Sequence, residues 1–248
     1  MKKISVFANQ KGGVGKTTCA VNVGFELARR GRSVLLIDMD PQANMTTWCG
    51  QDPDSFDATI YDVLKGTSNI DDIKVKVKEK VHLAPSNILL ASIEREIFAA
   101  IGYERRLKKA IQEITENFNH ILIDCPPSLG TLTVNGLVAS DEVYIAVACE
   151  HLSVIGTNKL LETIDAVRDN YNAGLEIGRV IPTMFTNTVL AGEMVKQLST
   201  FFGDTLAKTK IRRNVKIGES SAMGQSIMEY DLQSIGAQDF ISLVEEII

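Results

Sequence analysis

Lys11-Gly12-Gly13-Val14-Gly15-Lys16-Thr17-Thr18 is the stretch on which the reading of this chain turns. It follows Ile4-Ser5-Val6-Phe7-Ala8, a short apolar run of strand character. It precedes a segment in which Ala20, Val23, Gly24, Leu27 and Ala28 recur at helical spacing, with Gly31 after Arg29-Arg30 as a stop signal. A glycine-rich turn between strand and helix lets backbone N–H groups approach an anion, because no side chain stands in the way. The helix opening near Lys16 adds its unpaired N–H groups and the positive end of its dipole. Lys16 is placed to reach the β- and γ-phosphates of a nucleotide, and the Thr17 hydroxyl to ligate Mg²⁺. Gly12, Gly13, Val14, Gly15, Lys16, Thr17 and Thr18 are therefore the expected phosphate cradle, with Lys11 at its mouth. The general P-loop opens on a glycine where this chain has Gln10.

Outward from the loop, short β-branched apolar runs alternate with longer stretches of helical period. Ser33–Asp38, His120–Asp124, Glu142–Ala148 and Gly178–Met184 read as further strands; helices are expected near 91–100, 103–118, 154–172 and 188–202. Strands that are almost wholly apolar, separated by amphipathic helices, indicate a parallel sheet covered on both faces. No linker-like shift in composition and no internal repeat divides the 248 residues. The expected fold is α/β: one P-loop NTPase domain over 1–248, with a mostly parallel twisted sheet and helices on both faces.

Two aspartate sites accompany the loop. Ile121-Leu122-Ile123-Asp124 is an apolar strand ending in a carboxylate, the position from which an acidic residue holds Mg²⁺ through water. Leu35-Leu36-Ile37-Asp38-Met39-Asp40-Pro41-Gln42 places two more carboxylates at the end of the second strand. Strand carboxyl ends face the ligand crevice of an open parallel sheet. Asp40 is thus a candidate for orienting the water that attacks the γ-phosphate, and Asp38 for supporting the loop or the metal shell.

Composition narrows the classes. With 45% hydrophobic and 23% charged residues, the chain is neither disordered nor built of membrane spans. The apolar stretch after Met1-Lys2-Lys3 is too short for a signal peptide, which points to the cytoplasm. Cys19, Cys49, Cys125 and Cys149 make no C-x-x-C, and His82, His120 and His151 are equally scattered, so neither a zinc site nor a disulfide framework is expected.

On these residues the chain resembles the ParA/Soj family of deviant Walker-A ATPases, within the wider group that includes MinD. Asn9 through Thr18 matches the family's loop, and Asp38-Met39-Asp40-Pro41-Gln42-Ala43-Asn44 its second motif. Pro85-Ser86-Asn87 with Leu90-Ala91 and Glu94, Asp124-Cys125-Pro126-Pro127-Ser128, and Tyr230-Asp231, Ser234 and Gly236-Ala237 match further segments. The resemblance covers about residues 3 to 240. It implies ATP with Mg²⁺, and a homodimer that sandwiches two ATP molecules. Lys11 would reach the partner's phosphates as an arginine finger does in trans, making Lys11, Lys16 and Asp40 the catalytic set. It also implies slow hydrolysis stimulated by a ParB-like or cargo adaptor protein, in the service of partition or cargo positioning. ATP over GTP rests on the resemblance alone.

The family divides by what the ATP-bound dimer grips. Lys208-Thr209-Lys210-Ile211-Arg212-Arg213-Asn214-Val215-Lys216 holds five cations and no acid in a chain of net charge −5. Such an excess suits the phosphate backbone of double-stranded DNA, bound without regard to sequence and at the nucleoid. Lys208, Lys210, Arg212, Arg213 and Lys216 are the candidate contacts. The segment resembles the family's I-P-R-N-V-R, with Arg212 at the family proline. Thr183-Met184-Phe185-Thr186-Asn187-Thr188 stands where the family has T-M-Y-D-x-R-T and lacks its arginine. The alternative, a MinD-like membrane-associated regulator, requires a basic amphipathic C-terminal helix. Here Phe240, Leu243, Val244 and Ile247 form an apolar stripe, but Asp239, Glu245 and Glu246 make the polar face acidic, so a core-packed helix and no stable membrane anchor are expected. An iron–sulfur reductase would need suitably placed cysteines, and Cys125 and Cys149 do not suggest them.

Overall fold

A computed structural model describes residues 2–97, 100–114, 116–149 and 157–248, without the side chain of Glu94. His151, positions 154–156 of the helix expected at 154–172, Phe98 and Ala99 of 91–100, and Thr115 of 103–118 lie outside the described residues. Seven strands form one sheet: β1 (Lys3–Phe7), β2 (Val34–Asp38), β3 (Val75–Lys78), β4 (Val81–Ala84), β5 (His120–Asp124), β6 (Glu142–Ala148) and β7 (Glu176–Thr183). Their order is β3-β4-β2-β5-β1-β6-β7, and every neighbouring pair is parallel except the β3–β4 hairpin. The helices are α1 (Lys16–Arg29), α2 (Asn44–Trp48), α3 (Ile60–Lys65), α4 (Ile70–Ile73), α5 (Ile93–Ile97), α6 (Arg106–Gln112), α7 (Thr131–Ala139), α8 (Asn158–Asn170), α9 (Val189–Phe202), α10 (Val215–Ala222), α11 (Ile227–Tyr230) and α12 (Ile235–Ile247).

Strand pleating sends alternate residues to opposite faces, and each face has its own core. Leu35, Ile37, Ile121, Ile123 and Val143 pack with α3, α5, α6, α7 and α8. Val34, Leu36, Leu122, Tyr144 and Ala146 pack with α1, α11 and α12. The expected α/β architecture with helices on both faces is the observed one. The strands anticipated around 33–38, 120–124 and 142–148 stand within a residue of their expected bounds.

Three differences have plain causes. β3 is not evident in the sequence because Val75-Lys76-Val77-Lys78 is a short edge strand with lysines on its outer face, a pattern that protects an edge and resembles a charged loop; β4 is an interior strand of only four residues, too short a run to show a period. α7 escaped because Leu132, Thr133, Asn135, Gly136, Leu137, Val138 and Ala139 are all buried, so it carries no amphipathic stripe. The helix expected over 103–118 shortens to α6, behind a 3₁₀ turn at Tyr103–Arg105.

Helix α12 closes the second core. Phe240, Leu243 and Val244 are fully buried against Ala20, Val23 and Leu27 of α1. Arg30 donates to the Ile241 carbonyl at 3.0 Å, and Arg179 to that of Glu246 at 2.8 Å. The apolar stripe is thus used inside the protein. Among the described residues no helix is long and apolar enough to cross a membrane. Phe240→Ala is expected to cost about 3–5 kcal/mol of folding stability, as large cavities in packed cores do. Urea denaturation with an unchanged midpoint would show that α12 is not a core helix.

Candidate nucleotide-binding site

In the strand order β2-β5-β1 the ends of three strands converge on one crevice. Asp38 and Asp124 are partners in the parallel register, and Phe7, the last residue before the loop region, pairs with Asp124. The loop is fastened at two points. Asn9 donates from Nδ2 to the Ala146 carbonyl at 2.7 Å and accepts from the Lys11 N–H at 3.0 Å. Thr183 at the end of β7 donates to the Val14 carbonyl at 2.7 Å. On either side of Val14, Gly13 and Gly15 take φ of 70° and 91°, left-handed values that a side chain would strain. Gly15 is the N-cap of α1, so the helix opens directly onto the loop.

Lys16 is 6% exposed, an ammonium in the body of the loop whose Nζ lies 3.4 Å from the Lys11 carbonyl. Burial lowers its pKa, and the carboxylates of Asp124 and Asp40 oppose that shift. Asp124 is fully buried; its Oδ2 accepts from the Thr17 hydroxyl at 2.5 Å, while Oδ1 has no hydrogen-bond partner. Burial, and then the neighbouring Asp38, push the Asp124 carboxyl well above the usual range. An orphaned carboxylate oxygen beside a threonine hydroxyl fits a hard divalent cation. Mg²⁺ takes one or two protein oxygens and completes its shell with phosphate and water. Accordingly, no cluster of three acidic, histidine or cysteine residues is required, and none occurs among the described residues.

Asp38 is also fully buried, and its pKa is raised to about 6 by burial, against the opposing pull of hydrogen bonds from Thr46 and the Asp40 N–H. Both its oxygens are engaged, which places it behind the crevice as a support. Asp40 is 7% exposed and lines a cavity of about 420 Å³ together with Gly13, Lys16, Thr17, Trp48 and Ser221. A second cavity of about 210 Å³ shares Gly15 and continues past Met184 and Ile211 to Asn214. The two adjoin at Gly15, Thr18 and Met184 and form one trough, its larger end against the loop and its smaller, apolar end against Ile211 and Ile217. Lys11 carries its side chain on the surface beside them.

A family model described as an AAA domain matches residues 1–177. The chromosome-partitioning ATPase Soj of Treponema pallidum is 42% identical over 250 residues, covering 100% of this chain and 98% of that protein. The sporulation initiation inhibitor protein Soj of Bacillus subtilis is 41% identical, with 100% and 98% covered. The chain belongs to the ParA/Soj family of ATPases. A solved cobyrinic acid a,c-diamide synthase of Mycobacterium smegmatis, holding an ATP analogue and magnesium, is 31% identical with a TM-score of 0.89, covering 99% of this chain and 93% of that one.

Within this ParA/Soj member, the basic segment runs from the end of the β7-linked loop into α10. Lys208, Arg213 and Lys216 are exposed. Lys216 pairs with Glu219 at 3.1 Å and lies over the Tyr230 ring; Lys210 lies over Phe185, 4.9 Å from its centroid. Arg212 differs from the rest. Its guanidinium makes a two-pronged ion pair with Asp239 of α12, and its N–H donates to the same carboxylate at 2.9 Å. Arg212 therefore pins the segment to α12. All four cysteines are buried free thiols whose pKa is raised, chiefly by burial.

Several site residues have roles that the sequence does not spell out. Thr183 and Asn9 hold the loop through single side-chain bonds to backbone, and Trp48 and Ser221 reach the cavity from distant elements. Trp48, the only tryptophan, donates from its indole to the Gln225 carbonyl at 2.8 Å. Its emission should therefore change on addition of Mg-ATP, and Lys16→Ala should abolish that change by removing the main counter-charge to the phosphates. A fluorescence titration with the same response in Lys16→Ala would move the nucleotide elsewhere.

Proposed function

We propose that this chain is a partition-type ATPase whose ATP-bound form is a homodimer that grips double-stranded DNA without sequence preference. A ParB-like or cargo adaptor protein then triggers hydrolysis and release. The observation that carries this reading is the pairing of a buried Lys16, beside the Thr17–Asp124 bond, with a surface Lys11 at the mouth of the same loop. One lysine serves the chain's own nucleotide; the other is free to serve a neighbour's.

ATP is the substrate. Its triphosphate lies along the N–H groups of Gly12 to Thr18, Lys16 neutralises the β- and γ-oxygens, and the adenine enters the apolar end of the trough by Met184 and Ile211. Thr17 and Asp124, with Asp38 behind them, would hold Mg²⁺, which when bound would supply further charge neutralisation at the phosphates. Asp40 orients the attacking water. Lys11 of the partner adds positive charge as the transition state forms, so hydrolysis depends on dimerisation and stays slow in the monomer. A single ATPase domain over 1–248 suffices for this cycle.

Lys208, Lys210, Arg213 and Lys216 supply the DNA contacts and associate the dimer with the nucleoid, with Arg212 holding their segment in place. The membrane alternative is disfavoured because the apolar face of α12 is packed into the core. Co-sedimentation with DNA or with anionic liposomes, in ATP and in ADP, separates the two readings; ATP-dependent pelleting with liposomes alone would overturn ours. Lys11→Gln should leave ATP affinity of the monomer intact but prevent ATP-dependent doubling of mass by light scattering and the stimulated turnover. Normal dimer formation and turnover in that variant would exclude a trans role. Replacing Arg213 and Lys216 by alanine together should weaken binding to all DNA sequences alike and reduce the slope of log affinity against log salt by about one to two. A loss confined to particular sequences, in filter binding across salt, would contradict backbone contacts.

A further inference from the structure

We propose that Thr46 and Ser86, neither of which touches the nucleotide cavity, are positioning residues that set Asp40 for hydrolysis; this rests on the reading of Asp40 as the residue that orients water. The two residues belong to separate elements, α2 and the turn after β4, and both are fully buried. Thr46 donates to Asp38 Oδ2 twice, from its N–H at 2.9 Å and its hydroxyl at 2.8 Å. The same hydroxyl accepts from the Ser86 N–H at 3.0 Å. The Ser86 hydroxyl in turn donates to the Asp40 carbonyl at 2.8 Å, which also accepts from the Ala43 N–H at 2.9 Å. The Asp40 N–H completes the ring by donating to Asp38 Oδ1 at 3.1 Å.

Asp40 is therefore held on both sides. Its N–H is tied to the end of β2 and its carbonyl to the turn after β4, while its side chain lines the cavity. The turn from Asp40 to α2 passes through Ala43 at φ 52°, a left-handed value for a residue with a Cβ, sustained by the bonds on either side. A buried polar network is costly unless each member is satisfied, and here the Thr46 hydroxyl is used as both donor and acceptor. Valine has the shape of threonine but can do neither; serine can do both. A small displacement of a group that orients a reacting water is enough to cost catalysis heavily while leaving binding alone.

The test uses the full chain, with phosphate release for turnover and Trp48 emission for ATP affinity. Thr46→Val and Ser86→Ala should each lower kcat by about 10- to 100-fold, with the Kd for Mg-ATP unchanged. Thr46→Ser should restore kcat. Should Thr46→Val fail to fold, Ser86→Ala carries the same comparison. Wild-type kcat in Ser86→Ala or Thr46→Val, beside an Asp40→Ala variant that has lost turnover, overturns the proposal and leaves the role of Asp40 standing. A loss of ATP affinity matching the loss of kcat also overturns it, since that reports general damage. Normal turnover in Asp40→Ala removes the underlying reading instead.

Discussion

The contact between the Thr17 hydroxyl and the Asp124 carboxylate joins the start of α1 to the end of β5, across the mouth of the sheet. It brings a helix N-terminus, a glycine loop and a strand-end carboxylate into one small volume. Asp124 keeps one oxygen without a partner and sits beside Asp38, whose own oxygens are satisfied by Thr46 and Asp40. Two buried carboxylates and one buried ammonium are an unstable arrangement on their own, because burial disfavours the charged form of each. A triphosphate with its divalent cation supplies the missing charges of both signs. The rest of the fold can be understood as the frame that holds these groups in place until the ligand arrives.

That frame is a division of labour between the two faces of the sheet. One face, covered by α1 and α12, carries the helix that begins at the loop and the helix to which the basic segment is tied through Arg212 and Asp239. The other face is closed by α3 and α5 to α8. The smaller, apolar cavity beside the loop is walled on one side by Ile211, Arg212, Arg213 and Asn214 of the segment that carries the exposed cations. In the proposed cycle, the two surfaces are thus neighbours along the chain's own backbone, and no long route is needed between nucleotide and DNA. An overall acidic protein keeps a local basic surface because five of its 26 lysines and arginines fall on one short segment that holds no acid.

Much of this was legible beforehand. The loop, the strand before it and the helix after it were written in glycine placement and apolar period, and the two aspartate sites were marked by the strands that end in them. β3, β4 and α7 were not, since an edge strand dressed in lysines, a four-residue interior strand and a helix buried all round lack the contrast that periodicity detects. Asn9, Ser86 and Thr183 fell within segments that resemble the family's, but what their side chains hold, like the part played by Thr46, was not legible. Threonine, asparagine and serine are common in turns, and their role here depends on which backbone group lies across the gap.

Arg212 shows the remaining distinction most clearly. By sequence it is one of five cations in a row of nine residues, set apart from Arg213 only by standing where the family has proline. In the folded chain one guanidinium is bound to Asp239, 27 residues further on, and the other faces outward. Local order along the chain determined the phosphate loop, the strand-end carboxylates and the class of fold, because each rests on spacing within a few residues. Which cation is free, which oxygen is left unpaired and which hydroxyl holds the loop were decided only by tertiary structure, because each depends on a partner that distant sequence brings within 3 Å.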